Sequence, residues 1–355
     1  MIEKRIENIR KALADNSAGL ITNESDCFYF SGFNRSEGMV LVTPDTATLF
    51  VDFRYIEAAK KASKIDVRLT DNFFRDIYSL LKNESITTVF VQSESVTLSK
   101  KKLLDEAFDG IHVSTDINLD KIIREMRAVK SAEEIALIKS AQDITDRAFS
   151  YILTKINAGK TEREIALELE LFMKKEGSEG VAFDTICVSG ENSSKPHGIP
   201  GNKIIEDGDF LTLDFGAIVG GYRSDMTRTV CVGKPTDKMT YVYNTVLKAQ
   251  TEAIASVKSG VACKCVDKVA RDIIETAGFK GCFGHGLGHS VGIDIHESPY
   301  FNTRCEALTK PGMVITVEPG IYLQNEFGVR IEDMIVVTEN GCEDITKSNK
   351  SLVII

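Results

Sequence analysis

Two stretches of this chain put acids face to face, and that is the arrangement a fold can least easily accommodate. In Leu211-Thr212-Leu213-Asp214-Phe215-Gly216-Ala217-Ile218-Val219-Gly220-Gly221-Tyr222-Arg223-Ser224-Asp225-Met226-Thr227-Arg228-Thr229-Val230, two period-2 runs flank Gly220-Gly221 and read as a β-hairpin. A fold between Val219 and Gly220 sets Asp214 opposite Asp225, and a fold between the two glycines makes them diagonal neighbours. In both registers the carboxylates share a face, with Cβ atoms roughly 4.5–8 Å apart. In Met313 to Met334, apolar-rich runs flank a polar loop centred near Asn325, which sets Glu318 opposite Glu332. Facing like charges cost stability, burying them costs more, and a multivalent cation is the simplest compensation.

The remaining chemistry lies nearby. Of five histidines, three fall in Phe283-Gly284-His285-Gly286-Leu287-Gly288-His289-Ser290-Val291-Gly292-Ile293-Asp294-Ile295-His296-Glu297, and a fourth, His197, sits in the loop Ser193 to Gly198. Four glycines argue against an uninterrupted zinc-binding helix in the first segment and predict backbone pressed against a ligand or another strand. The near G-x-G-x-G lacks the strand-to-helix context of a nucleotide loop. One histidine with four carboxylates is an oxygen-rich donor set that suits pairs of Mn, Co, Fe or Zn ions, and metal-assisted hydrolysis is the reaction class it implies.

The length of 355 residues suits two domains. Residues 1–124 read as an α/β domain, with strands at about 18–22, 38–42, 48–52 and 87–91 and helices at about 3–14, 54–63, 72–82 and 98–107. Residues 125–355 read as α+β. Ser131 with Glu134 and Thr161 with Glu164 are capping boxes that open helices. Two more helices follow at about 237–258 and 264–276, interleaved with strands at about 183–188, 209–218, 222–232, 313–322 and 328–337.

With 43 Lys and Arg against 52 Asp and Glu, the net charge of −9 argues against binding nucleic acid by phosphate neutralisation. The N-terminus has no apolar signal-peptide core, no run of about 18 apolar residues predicts a membrane span, and the scattered cysteines read as reduced thiols. A cytoplasmic protein without membrane partners is the expectation.

The segments LDFGA…GYRSDMTRT, GHGLGHSVGIDIHESP, VEPGIY and GVRIED together resemble the five-ligand pattern of the proline-specific metallopeptidases of family M24, the Xaa-Pro aminopeptidases and Xaa-Pro dipeptidases (prolidases). GMVLVTPDTATLFVDFRY resembles that family's N-terminal domain, so the resemblance spans nearly the whole chain. It implies a creatinase/prolidase-type α/β N-terminal domain and an α+β pita-bread catalytic domain. It also implies two divalent metal ions, manganese first with cobalt or zinc as alternatives, generating a bridging hydroxide. By the same resemblance Asp214 binds one metal, Asp225 and Glu332 bridge both, and His289 and Glu318 hold the other. Glu318 also accepts the proton of the nucleophilic water, His296 stabilises the tetrahedral intermediate, and His197 and His285 line the proline side. Arg330 anchors a carboxylate, either of the substrate or of a metal ligand, and Tyr222 packs. The implied substrates are small peptides with proline at the second position, and the implied assembly is a homodimer. The loop Ser31 to Ser36 departs from the family pattern at Arg35, which reads either as a solvated charge or as a contact for a substrate carboxylate. A methionine aminopeptidase shares the ligands but generally lacks the N-terminal domain. A metal-free creatinase is disfavoured by the full ligand set. A peptide-binding module without chemistry is disfavoured by the retained ligands and His296.

Overall fold

The computed structural model describes residues 2–34 and 37–355; Arg35 therefore lies outside the described residues. The chain divides into two compact units, Met1–Arg127 and Ala128–Ile355.

The first unit is built on a six-stranded mixed sheet. Its central strand Ser17–Ile21 pairs antiparallel with Met39–Val42 on one side and parallel with Thr88–Val91 on the other. The Pro44-Asp45 turn closes the hairpin Met39–Val42/Ala47–Val51 as the sequence expects. Helices Phe73–Asn83 and Leu98–Ala107 pack apolar side chains such as Ile77, Leu81 and Leu104 onto Leu20, Phe50 and Val89 of the sheet. The helix Glu24–Ser31 has no counterpart in the sequence reading. Its face is poorly segregated, and it is set instead by an Asn23 cap and a left-handed Gly32.

The second unit uses one plan twice. Helices Ala132–Ile152 and Glu162–Lys175, both opened by the expected capping boxes, cover the strands of the aspartate hairpin. Helices Asp237–Ser256 and Cys263–Thr276 cover those of the glutamate hairpin. Alternation decides which residues face the helices. Leu211, Leu213 and Phe215 enter the first core, so Thr212 and Asp214 point to the other face. Ile315, Val317 and Ile335 enter the second core. Strands Ile186–Ser189, Phe210–Phe215 and Met226–Cys231 form one antiparallel sheet; Glu297–Phe301, Gly288–Ser290, Val314–Val317, Asp333–Val337 and Cys342–Asp344 form another.

The two hairpin registers now have physical causes. Gly220 and Gly221 both take positive φ, 55° and 78°, the requirement of a two-residue primed turn. The chain therefore folds between the glycines: Tyr222 pairs with Val219 and Thr227 with Asp214, which leaves Asp225 diagonal to Asp214. In the second hairpin Gly320 pairs with Arg330 and Val317 with Asp333, so Glu318 and Glu332 face each other in the break between two ladders.

Candidate active site

Each ladder breaks where its acids must turn inward. Gly216 ends the first: a Cβ there would lie 1.9 Å from the Ser224 carbonyl oxygen. The glycine-rich segment forms the strand Gly288–Ser290 and no helix, as the glycine count requires. A Cβ on Gly288 would lie 2.0 Å from the Thr316 carbonyl oxygen, so the pressure on this backbone comes from a neighbouring strand. This close approach is what brings His289 to the acids.

Asp214, Asp225, His289, Glu318 and Glu332 all line one cavity of about 610 Å³, together with His197, His285, His296 and Arg330. Nε2 of His289 lies 3.4 Å from Glu318 Oε1 and 3.6 Å from Asp225 Oδ2. Ligand atoms of Asp225, His289 and Glu332 lie within 4.8 Å of one another. Burial, followed by the charges of neighbouring acids, pushes the Asp225 and Glu332 carboxyls well above the usual range. Burial likewise pushes Glu318 up to about 8, against the opposing pull of Arg330. Burial, with His296 next, lowers His289 to about 4, so its ring is neutral. Its Nδ1 faces the Ser290 carbonyl oxygen at 3.2 Å, which places the ring proton on Nδ1 and leaves the Nε2 lone pair aimed at the acids.

Among the described residues, no donor reaches Asp214 Oδ1 or Glu332 Oε1, although both are buried. Buried carboxylates crowded around a neutral imidazole, with orphaned oxygens, fit divalent cations that favour oxygen donors and accept one nitrogen.

Arg330 is surrounded by protein acceptors. It donates to Asp214 Oδ2 at 2.6 Å, to Thr227 Oγ1 at 3.0 Å, to the Tyr322 hydroxyl at 2.8 Å and to the Pro196 carbonyl at 3.3 Å. The carboxylate that Arg330 meets is that of Asp214, a protein acid of the cluster. Tyr322 joins Arg330 to His285 Nε2 at 2.9 Å, and His285 Nδ1 faces the Gly286 carbonyl oxygen at 2.8 Å. Burial, then Arg330, lowers His285 to about 4, so it is a neutral acceptor for the tyrosine proton. The His296 ring meets that of His289 edge to face, centroids 4.4 Å apart. Tyr222 is buried and donates to Glu134 at 2.8 Å, which is packing with a polar anchor.

Several contributors escape sequence reasoning. Thr227 donates to Glu332 Oε2 at 2.7 Å and Thr316 to Glu318 Oε1 at 3.2 Å. Arg228, fully buried, donates to the Glu332 carbonyl at 2.5 Å and to Asp333 at 2.6 Å. Thr227 could have been found, because it sits opposite Asp214 once the primed turn is accepted. Arg271 and Arg304 also line the cavity and carry no sequence signal. Arg271 is taken up by Asp267 and the carbonyls of Phe283 and His285. Among the described residues, no carboxylate pairs with Arg304.

Known proteins share this architecture. Residues 136–339 match the model of metallopeptidase family M24, and residues 5–129 match the creatinase/prolidase N-terminal domain. A Xaa-Pro dipeptidase of Pyrococcus furiosus is 39% identical, with 99% of this chain and 100% of that protein aligned. The solved Xaa-Pro dipeptidase from Bacillus anthracis superposes with a TM-score of 0.95 at 38% identity, covering 100% of both chains. The X-Pro aminopeptidase from Thermotoga maritima superposes with a TM-score of 0.92 at 39% identity, covering 98% of this chain and 100% of that one. The chain belongs to metallopeptidase family M24, with a creatinase/prolidase N-terminal domain followed by a pita-bread catalytic domain.

Proposed function

We propose that this protein is a dinuclear-metal hydrolase that cleaves the bond before proline in Xaa-Pro dipeptides. The observation that carries this reading is the cluster of three buried acids, the half-buried Glu318 and one neutral histidine, with two orphaned oxygens, opening into a cavity edged by three further histidines. In the proposal Asp214, Asp225, His289, Glu318 and Glu332 hold two divalent ions, manganese first. When bound, such ions would make a water nucleophilic near neutral pH and polarise the scissile carbonyl.

The chain's own residues have distinct tasks. Glu318, ionised beside the proposed cations, takes the proton of the attacking water and passes it to the departing proline nitrogen. His296 donates to the carbonyl oxygen as charge develops there. Arg330 and Thr227 keep Asp214 and Glu332 oriented. His197 and His285 border the proline ring. A bond to proline lacks the N–H that general peptidases grip, so a shaped wall must replace that contact. Arg304, on the cavity wall and without a carboxylate partner, supports a substrate that ends in a free carboxylate, hence a dipeptide.

An aminopeptidase reading is kept because of the likeness to the Thermotoga maritima enzyme. Metal-depleted protein supplied with Mn, Co or Zn and offered Ala-Pro or Ala-Pro-Ala separates the two. Metal-restored cleavage of Ala-Pro alone is the expected result; equal rates on both peptides would favour the aminopeptidase. No cleavage of either peptide with any metal would sink both readings.

A further inference from the structure

The catalytic unit buries a lysine beside the acid cluster. The Lys130 side chain is 1% exposed, and its amine lies 2.8 Å from Ser290 Oγ and 3.1 Å from Glu297 Oε2; the Glu297 side chain is 6% exposed. A buried pair of this kind is held at a considerable desolvation cost, so its place in the fold is informative. Ser290 follows His289 in sequence, and Glu297 follows His296. The ladder is irregular here: His289 pairs with Tyr300, but Ser290 pairs with Glu297. Lys130 therefore contacts both sides of a β-bulge; one strand, Gly288–Ser290, carries His289, and His296 immediately precedes the other, Glu297–Phe301.

Other bonds complete this tether. Ser290 Oγ donates to the Val314 carbonyl at 2.9 Å, and Glu297 Oε1 accepts the Asp294 N–H at 3.1 Å. The Gly292 N–H donates to the Asp294 carbonyl at 3.1 Å. A Cβ on Gly292 would lie 2.7 Å from the Glu297 oxygens, so the carboxylate rests directly on the turn's backbone. Lys130 itself has a fixed base. Its N–H donates to the Gly312 carbonyl at 2.9 Å, and the next residue caps the helix Ala132–Ile152.

We infer that Lys130 is a positioning residue: through Ser290 and Glu297 it holds the turn 290–297 and so sets His296 against His289. This deepens the function proposed above and rests on it for the role of His296. The test variants are Lys130→Met and the double Lys130→Met/Glu297→Gln, which removes both charges of this pair. Two measurements are made on the full chain. Amide exchange of the metal-free protein should rise about tenfold or more within 291–297 while the helix Asp237–Ser256 keeps its protection. With Mn bound, kcat on Ala-Pro should fall by about 10²-fold, the scale of a misplaced catalytic group, with KM held within about twofold.

Unchanged exchange at 291–297, or a rise spread evenly over the catalytic unit, overturns the inference. So does faster local exchange with kcat intact. A wild-type protein that cleaves no Xaa-Pro peptide would remove the function proposed above, and the exchange pattern alone would then decide whether Lys130 holds this turn.

Discussion

At the scale of single residues, role follows from environment more than from residue type. His289 and His285 are both neutral and both aim Nδ1 at a carbonyl, yet one presents Nε2 to the acids and the other to Tyr322. Asp225→Asn keeps the shape and removes a proposed bridging charge; hydrolysis should be abolished while circular dichroism and melting stay native-like, and a fully active variant would refute the bridging role. His296→Ala should lower kcat by about 10²–10³-fold with little change in KM, as expected for a donor used in the transition state. Thr227→Val removes the donor to Glu332 Oε2 and should weaken metal affinity about 10–100-fold by calorimetry. Arg304→Ala should raise KM for Ala-Pro about tenfold or more with kcat little changed; an unchanged KM would deny it the carboxylate.

Among the elements, those defined by local rules were legible in sequence. Both capping boxes, the Pro44 turn and the alternation of the aspartate hairpin rest on neighbours in the chain. The hairpin register was open between two choices, and only the paired positive φ values at Gly220 and Gly221 select one. The glycines at 286, 288 and 292 signalled crowding without saying by what; the neighbours are Phe301 and Asn302, Thr316 and Glu297. Gly288→Ala puts a methyl into the Thr316 carbonyl and should cost roughly 1–3 kcal/mol in urea denaturation, with His289 displaced from the cluster. A stability equal to wild type would show that the strand can yield.

For the whole molecule, the unbalanced acids make stability depend on pH and on metal. Glu318 has a carboxyl raised from 4.5 to about 8 in the fold, so the native state binds its proton more tightly than the unfolded chain. Below about pH 4.5 both states are protonated and nothing is lost; as pH rises toward 8 the metal-free fold is progressively penalised. Asp225 and Glu332 act in the same direction. Asp333 has the opposite sign. Burial raises it, but Arg228 and Lys350 overcome that and hold it below 3.8, so its contribution is lost as pH falls through that lowered value. The Tm of metal-free protein should therefore fall between pH 5 and pH 8, Glu318→Gln should flatten the slope, and Mn should restore Tm most at the alkaline end. A pH-independent Tm in metal-free protein would contradict this account.

The net charge of −9 is thus partly a statement about a buried site. Sequence by itself determined the two-part organisation, the acid-bearing hairpins and the concentration of histidine near them, because turn chemistry, alternation and capping act over a few residues. Only the tertiary structure decided which carboxylate oxygens lack partners, that Arg330 is spent on Asp214, Thr227 and Tyr322, and that Lys130 reaches a turn 160 residues further on. Those contacts join side chains brought together by packing two helix pairs against two hairpins, and no periodicity along the chain encodes a distance across the fold.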